Sequence, residues 1–147
     1  MKKYCMVLLM LVLCLLPSCG GQHKVLKGYS ASSEHFETGG FRDYTDYCEY
    51  YYDETATGKF KNSAYYNAVT EDGIVQLNAF FTDYYKWIVL KDGYENWFSF
   101  KSAQMRTEDY FSLEIIDPMA PYGQFHNYNI YYYDTDKCTL YYFHNNC

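Results

Sequence analysis

Tyrosine stands in this chain where leucine, isoleucine and valine stand in most. All but one of its 20 tyrosines follow residue 18, in a chain of 147. A tyrosine buries a large ring but carries a hydroxyl that needs a partner or water. A core made from it is thin, and its edges are wet. The ordinary reading is that the rings replace aliphatic residues in such a core. The alternative is a dedicated aromatic surface, because tyrosine gives much contact area for few rotatable bonds.

Before the tyrosine-rich part comes a segment of another kind. Lys2 and Lys3 precede an uncharged apolar run, residues 6–16, too short to span a bilayer and the right size for the apolar region of a secretory signal. The run ends in Leu16-Pro17-Ser18-Cys19-Gly20. Leucine three residues before a cysteine, with a small residue just before it, resembles the bacterial lipoprotein box. In that family the cysteine thiol is diacylated and the preceding peptide bond is cut. Pro17 departs from the usual small or hydroxyl residue at its position. The resemblance implies a signal peptide over residues 1–18, fatty acid such as palmitate on Cys19, and a place on the outer face of a bacterial cell membrane. Two acyl chains give durable attachment, which one chain does not. The competing reading is a secreted protein cut near Ser18, with Cys19 an ordinary thiol.

Loss of residues 1–18 leaves ten of the 12 basic residues against 18 acidic ones. An acidic chain with no Lys/Arg cluster argues against nucleic acid as a partner. Arg42 and Arg106 are the only arginines, so bidentate phosphate capture is poorly provided for. Cys5 and Cys14 leave with the signal, and Cys19 is taken by lipid. Cys48, Cys138 and Cys147 remain, an odd number from which one disulfide and one free thiol are expected. Sequence does not choose the pair. The spacing Cys138-x5-His144-x2-Cys147 matches no zinc pattern, so neither metal nor cofactor is expected.

Residues 19–40 are rich in Gly, Ser and charge and read as a tether that holds the domain off the membrane, with His23 and His35 as solvated histidines. Residues 41–147 are one domain. Near its start, Tyr44, Tyr47, Cys48 and Tyr51 fall at i, i+3, i+4 and i+7, one face of a helix, although a short tyrosine-rich run also suits a strand. Residues 70–90 form the best-argued helix. Thr70 is a natural N-cap, Glu71 and Asp72 add acid to the first turn, and Val69 and Ile74 occupy the staple positions. Ile74, Leu77, Phe81, Tyr84 and Ile88 make its apolar stripe, and Asp92-Gly93 the stop. Residues 110–116 read as a strand ended by Asp117-Pro118. Two aromatic runs then flank residues 134–137, a hairpin signal. A turn at Thr135-Asp136 sets Tyr133 opposite Cys138, Tyr131 opposite Leu140 and Ile130 opposite Tyr141. The fold class is α+β: one or two helices packed on a small antiparallel sheet that ends in a C-terminal β-hairpin.

The order VTEDGIVQLNAFFTDYYKWI, TEDYFSLEIID, NIYYYDTDKCTLYYFHNN resembles small uncharacterised lipoproteins of Gram-positive bacteria. It covers roughly the second half of the chain and implies location and fold. No nucleophile elbow, phosphate loop, zincin motif or dinucleotide fingerprint occurs. His126 and His144 read as surface or capping residues, and Asp109 and Glu114 project to opposite faces of a strand. The chain therefore does not read as an enzyme. It reads as a binding module for a protein, peptide or glycan, with Tyr131, Tyr133, Tyr141 and Tyr142 of the hairpin as the candidate interaction face. The alternative is an accessory or structural lipoprotein, such as a small inhibitor, whose tyrosines are only core.

Overall fold

The computed structural model describes residues 23–36, 44–117 and 127–146. Its strands are β1 (Ala31–His35), β2 (Tyr44–Tyr51), β3 (Asn67–Ala68), β4 (Tyr110–Asp117), β5 (Asn127–Asp134) and β6 (Thr139–Asn146). They form one antiparallel sheet in the order β1-β2-β6-β5-β4-β3. Two helices accompany it, α1 (Thr57–Lys61) and α2 (Glu71–Ile88). The architecture is α+β. Cys19 and the rest of the lipobox, His126 and Cys147 lie outside the described residues.

Helix α2 forms as its sequence dictates. The Thr70 hydroxyl oxygen accepts the Gly73 N–H at 3.0 Å, satisfying one orphan donor of the first turn. Val69 is buried and Ile74 half-buried at the staple positions. Leu77, Phe80, Phe81, Tyr84 and Ile88 face the sheet. They meet Tyr47, Tyr128, Ile130, Tyr132, Tyr141 and Phe143, and Phe100 closes the cluster. Helix α2 stops at Ile88, earlier than Asp92-Gly93. Gly93 instead takes a left-handed conformation (φ 69°) that opens the 3-10 turn Tyr94–Asn96.

The opposite face of the sheet is covered as well. Cys48, Tyr50, Tyr131, Tyr133, Leu140 and Tyr142 form a second cluster with Phe60 of α1, Tyr52 and Tyr66. Phe60 lies flat on Tyr133, with ring centroids 3.8 Å apart. Val25 and Leu26 pack on the same cluster. The backbone of this strap is held by tyrosine: Tyr66 donates to the Lys24 carbonyl at 2.8 Å and Tyr52 to the Leu26 carbonyl at 2.6 Å. Within the stretch expected to be a free tether, residues 24–26 are thus held on the sheet. Its continuation, β1, pairs with β2.

Residues 44–51, which the sequence leaves between helix and strand, are a strand. Tyr47 faces α2, and Cys48 and Tyr50 face the strap. Both faces carry buried aromatic rings, so the tyrosines show no strict alternation and a helical spacing arises by coincidence. Strand β4 runs where it was expected. The hairpin is present with a register two residues from the expected one: Tyr133 faces Leu140 and Tyr131 faces Tyr142. Asp134 is the reason. Its carboxylate accepts the N–H groups of Asp136 and Lys137, both at 3.0 Å, and Cys138 turns left-handed (φ 49°), which makes the loop longer than two residues.

Candidate functional site

The hairpin tyrosines do not form a surface. Tyr131 and Tyr133 are 0% exposed, Tyr142 1% and Tyr141 2%. The sheet brings Tyr131, Tyr133 and Tyr142 together on the strap face and sets Tyr141 on the α2 face. The expected aromatic interaction face is therefore core. The hairpin sits in the middle of the sheet between β2 and β4, and α1 and the strap cover the side that a lone helix would have left open. Cys48 and Cys138 are not bridged to each other by a disulfide. Burial pushes the Cys48 thiol up to about 12.

A different constellation forms at the β1–β2 edge. Pairing sets Ser33 opposite Glu49 and His35 opposite Tyr47, so these four and Tyr51 share the face that α2 covers further in. Beyond α2 that face is closed by the 3-10 turn and residues 97–99. The His35 ring stacks on Trp97, with centroids 4.5 Å apart and planes 18° from parallel. Ser33 Oγ lies 3.3 Å from His35 Nε2 and steadies the ring edge. His35, read as solvated, is half-buried for this reason. Tyr47 packs on Phe98 at 4.8 Å. Between these walls opens a cleft of about 430 Å3 lined by Ser33, His35, Glu49, Tyr51, Glu95, Asn96, Trp97, Phe98 and Ser99. A second hollow of about 320 Å3 shares His35 and Trp97 and adds Glu34, Thr45 and Lys91.

Glu49 is the chemical centre of the cleft. Only 6% of it is exposed. Its Oε1 accepts the hydroxyls of Tyr47 at 2.6 Å and Ser99 at 2.7 Å, and its Oε2 accepts that of Tyr51 at 2.5 Å. A carboxylate has about four acceptor sites, so one remains on Oε2. Among the described residues no Lys, Arg or His lies within ion-pair distance of Glu49. A buried charge without a counter-ion is tolerable only when well hydrogen-bonded, and bonds to an ionised acceptor are the strong ones. The hydrogen bond to Glu49, aided by burial, pushes the Tyr51 hydroxyl up to about 12. Burial, then the Glu49 charge, raises that of Tyr47 still further. Both remain protonated near neutrality and hold the carboxylate as a fixed acceptor.

Two other polar clusters are spent on structure. Asp109, fully buried, accepts the Tyr132 hydroxyl, the Thr135 N–H at 2.9 Å and hydroxyl at 2.8 Å, and the Arg106 N–H at 3.1 Å, clasping the hairpin turn. His144 is buried, not a surface or capping residue, and its Nδ1 lies 2.7 Å from Asn129 Oδ1. Asn129 in turn donates to Glu114 at 3.0 Å, and Glu114 pairs with Lys24 of the strap at 3.1 Å. A larger groove of about 450 Å3, between α2 and residues 98–103, is walled mainly by the rings of Phe81, Tyr84, Tyr85, Phe98 and Phe100. It has no polar group comparable to Glu49 to orient a ligand. Among the described residues no group of three or more His, Cys, Asp or Glu is placed to hold a metal ion, and no helix is long and apolar enough to cross a membrane.

Sequence reading missed Glu49, Trp97 and Ser99. A signal for the first was present. Read as a strand, Tyr47-x-Glu49-x-Tyr51 sets one carboxylate between two hydroxyls on one face. No protein-family model, curated protein or solved structure matches this chain.

Proposed function

We infer that this protein is a lipid-anchored extracytoplasmic binding module whose ligand enters the Glu49 cleft and not the hairpin. The observation that carries the reading is the buried Glu49 carboxylate, fixed by three hydroxyls yet without a counter-ion among the described residues, at the floor of a cleft with an aromatic wall. Its volume lies within the usual range of small-ligand sites, which join apolar walls to a few fixed polar groups. The acceptor left on Glu49 and the second carboxylate, Glu95, favour a ligand that brings donors and positive charge. The rings of Tyr51 and Trp97 suit the apolar face of a sugar or the methylenes of an amine. An ammonium-bearing sugar or similar small amine meets all of these conditions.

The test is an NMR titration of the purified protein with glucosamine and, in parallel, with glucose. Shifts are expected at Ser33, His35, Glu49, Ser99 and the Trp97 indole, with tighter binding of the amine. Glu49→Gln should remove the preference for the amine. If neither sugar nor a simple alkylamine moves those resonances, the cleft is not a ligand site, and the accessory-lipoprotein reading takes its place.

A further inference from the structure

The strap fixes where an anchor on Cys19 leaves the domain. His23 Nε2 lies 3.1 Å from Glu114 Oε1, and Lys24 Nζ lies 3.1 Å from the same oxygen and 3.0 Å from Ser112 Oγ. The Lys24 carbonyl is bound by Tyr66. The chain is therefore held against β4 at His23 and Lys24. Three residues lie between Cys19 and His23, and covalent geometry limits the reach of the four Cα–Cα steps to about 14 Å. A lipid on Cys19 cannot be far from Glu114.

Next to Glu114 stand Ile115, 48% exposed, and Ile116, 51% exposed. A bulge between Ile115 and Asp117 leaves Ile116 without a partner on β5, and β3 pairs only with Tyr110 and Phe111. Among the described residues no strand covers the outer edge of β4 beyond Phe111. An uncovered edge carrying two neighbouring isoleucines would ordinarily be a hazard for association. Electrostatics do not keep this corner from a lipid surface, because Lys24 and His23 flank the Glu114 charge. Burial disfavours that charge, but the hydrogen bonds from Asn129 and Lys24 outweigh it and hold the carboxyl below its usual value.

We propose that the protein lies directly on the bilayer that carries its Cys19 lipid, with the Ile115–Ile116 corner of β4 against the lipid surface. This rests on the anchoring of Cys19 in the proposed function. The short reach and the place where the strap ends decide the occupant. The arrangement also turns the Glu49 cleft outward. Glu49 is on β2, three strands from β4, about 14 Å across the sheet, and on the opposite face from the strap.

The test uses the full lipidated protein in phosphatidylcholine vesicles, with Cys138 and Cys147 replaced by serine. A nitroxide is attached at Ile116→Cys, at Ile115→Cys as a second variant, and at Ser32→Cys on β1 as the distant reference. Collision with oxygen relative to a water-soluble nickel complex should be several-fold higher at 115 and 116 than at 32. Water-like collisions at both isoleucine positions, with fatty acid present on Cys19 by mass spectrometry, would overturn the docking and leave the anchor standing. Absence of fatty acid on Cys19 would overturn the anchor, and the docking with it.

Discussion

Replacing Tyr142 separates a core tyrosine from a recognition tyrosine most cleanly. Tyr142 is 1% exposed, its ring lies 5.0 Å from that of Tyr131, and its hydroxyl donates to Asn129 Oδ1 at 3.1 Å. Tyr142→Phe keeps the ring and deletes one buried hydrogen bond, at a cost of about 1 kcal/mol. The loss is limited because Asn129 Oδ1 still has His144 Nδ1 at 2.7 Å. Tyr142→Ala removes the ring too and leaves a cavity between strap and sheet, at a cost of about 3–5 kcal/mol. For a domain of this size 1 kcal/mol moves the melting temperature by about 3–5 °C. The phenylalanine variant should therefore lose a few degrees, and the alanine variant about 10–20 °C. Thermal unfolding of the purified protein, followed by near-ultraviolet circular dichroism, measures both. A surface tyrosine truncated to alanine changes stability by about 0.5 kcal/mol or less. An alanine variant that melts within 2 °C of the parent, given that scale, would show that Tyr142 is not core and would return the hairpin to the list of binding faces.

Two further outcomes follow from buried titratable groups. Burial lowers the His144 pKa below 6.5, partly countered by a backbone hydrogen bond at Tyr128, so the unfolded chain binds this proton more readily than the folded one. Its contribution to stability is whole above about pH 6.5 and is lost as the pH falls through the lowered folded value. Melting temperature should accordingly decline between pH 6.5 and 5, and His144→Gln should flatten that decline; an unchanged slope would refute it. Cys48, fully buried and titrating near 12, is thiolate only about once in ten thousand molecules at pH 8, whereas Cys138 is half-exposed. Iodoacetamide at pH 8 should alkylate Cys138 well before Cys48 in the native protein, as read by peptide mass spectrometry, and equal rates would contradict the packing of β2.

Helix α2 was legible because local signals agreed with one another: an N-cap, acids in the first turn, a staple and an apolar stripe. The hairpin was legible as two aromatic runs about a polar turn. Its register was not, because the Asp134 carboxylate holds a longer loop than the residue types alone imply. Strand β2 was ambiguous for a physical reason. A strand buried on both faces has no alternation to read, and tyrosine is at home in either element. The cleft was hidden more deeply still. Its residues come from β1, β2 and residues 95–99, which approach one another only after the sheet has formed. His35 and Trp97 stand 62 positions apart and carry no joint signal until they stack.

The abundance of tyrosine has a use beyond filling the core. A strap that crosses a sheet face has no ladder partners, so its buried carbonyls must find donors elsewhere. Phenylalanine at positions 52 and 66 would cover the same face and offer none, at about 1–3 kcal/mol for each orphaned carbonyl. Tyr52 and Tyr66 pack their rings in the strap-side cluster and turn their hydroxyls to Leu26 and Lys24. On the other face Tyr84 ties helix to sheet, donating to the carbonyl of Asp46 in β2 at 2.7 Å. A wet-edged aromatic core thus latches irregular backbone that an aliphatic core would release. Because these hydroxyls hold the strap down, the slack between Cys19 and the folded chain is a few residues and not twenty. With the lipid proposed for Cys19, the same substitution of tyrosine for aliphatic residues that makes the core thin would set how closely the domain lies to a bilayer.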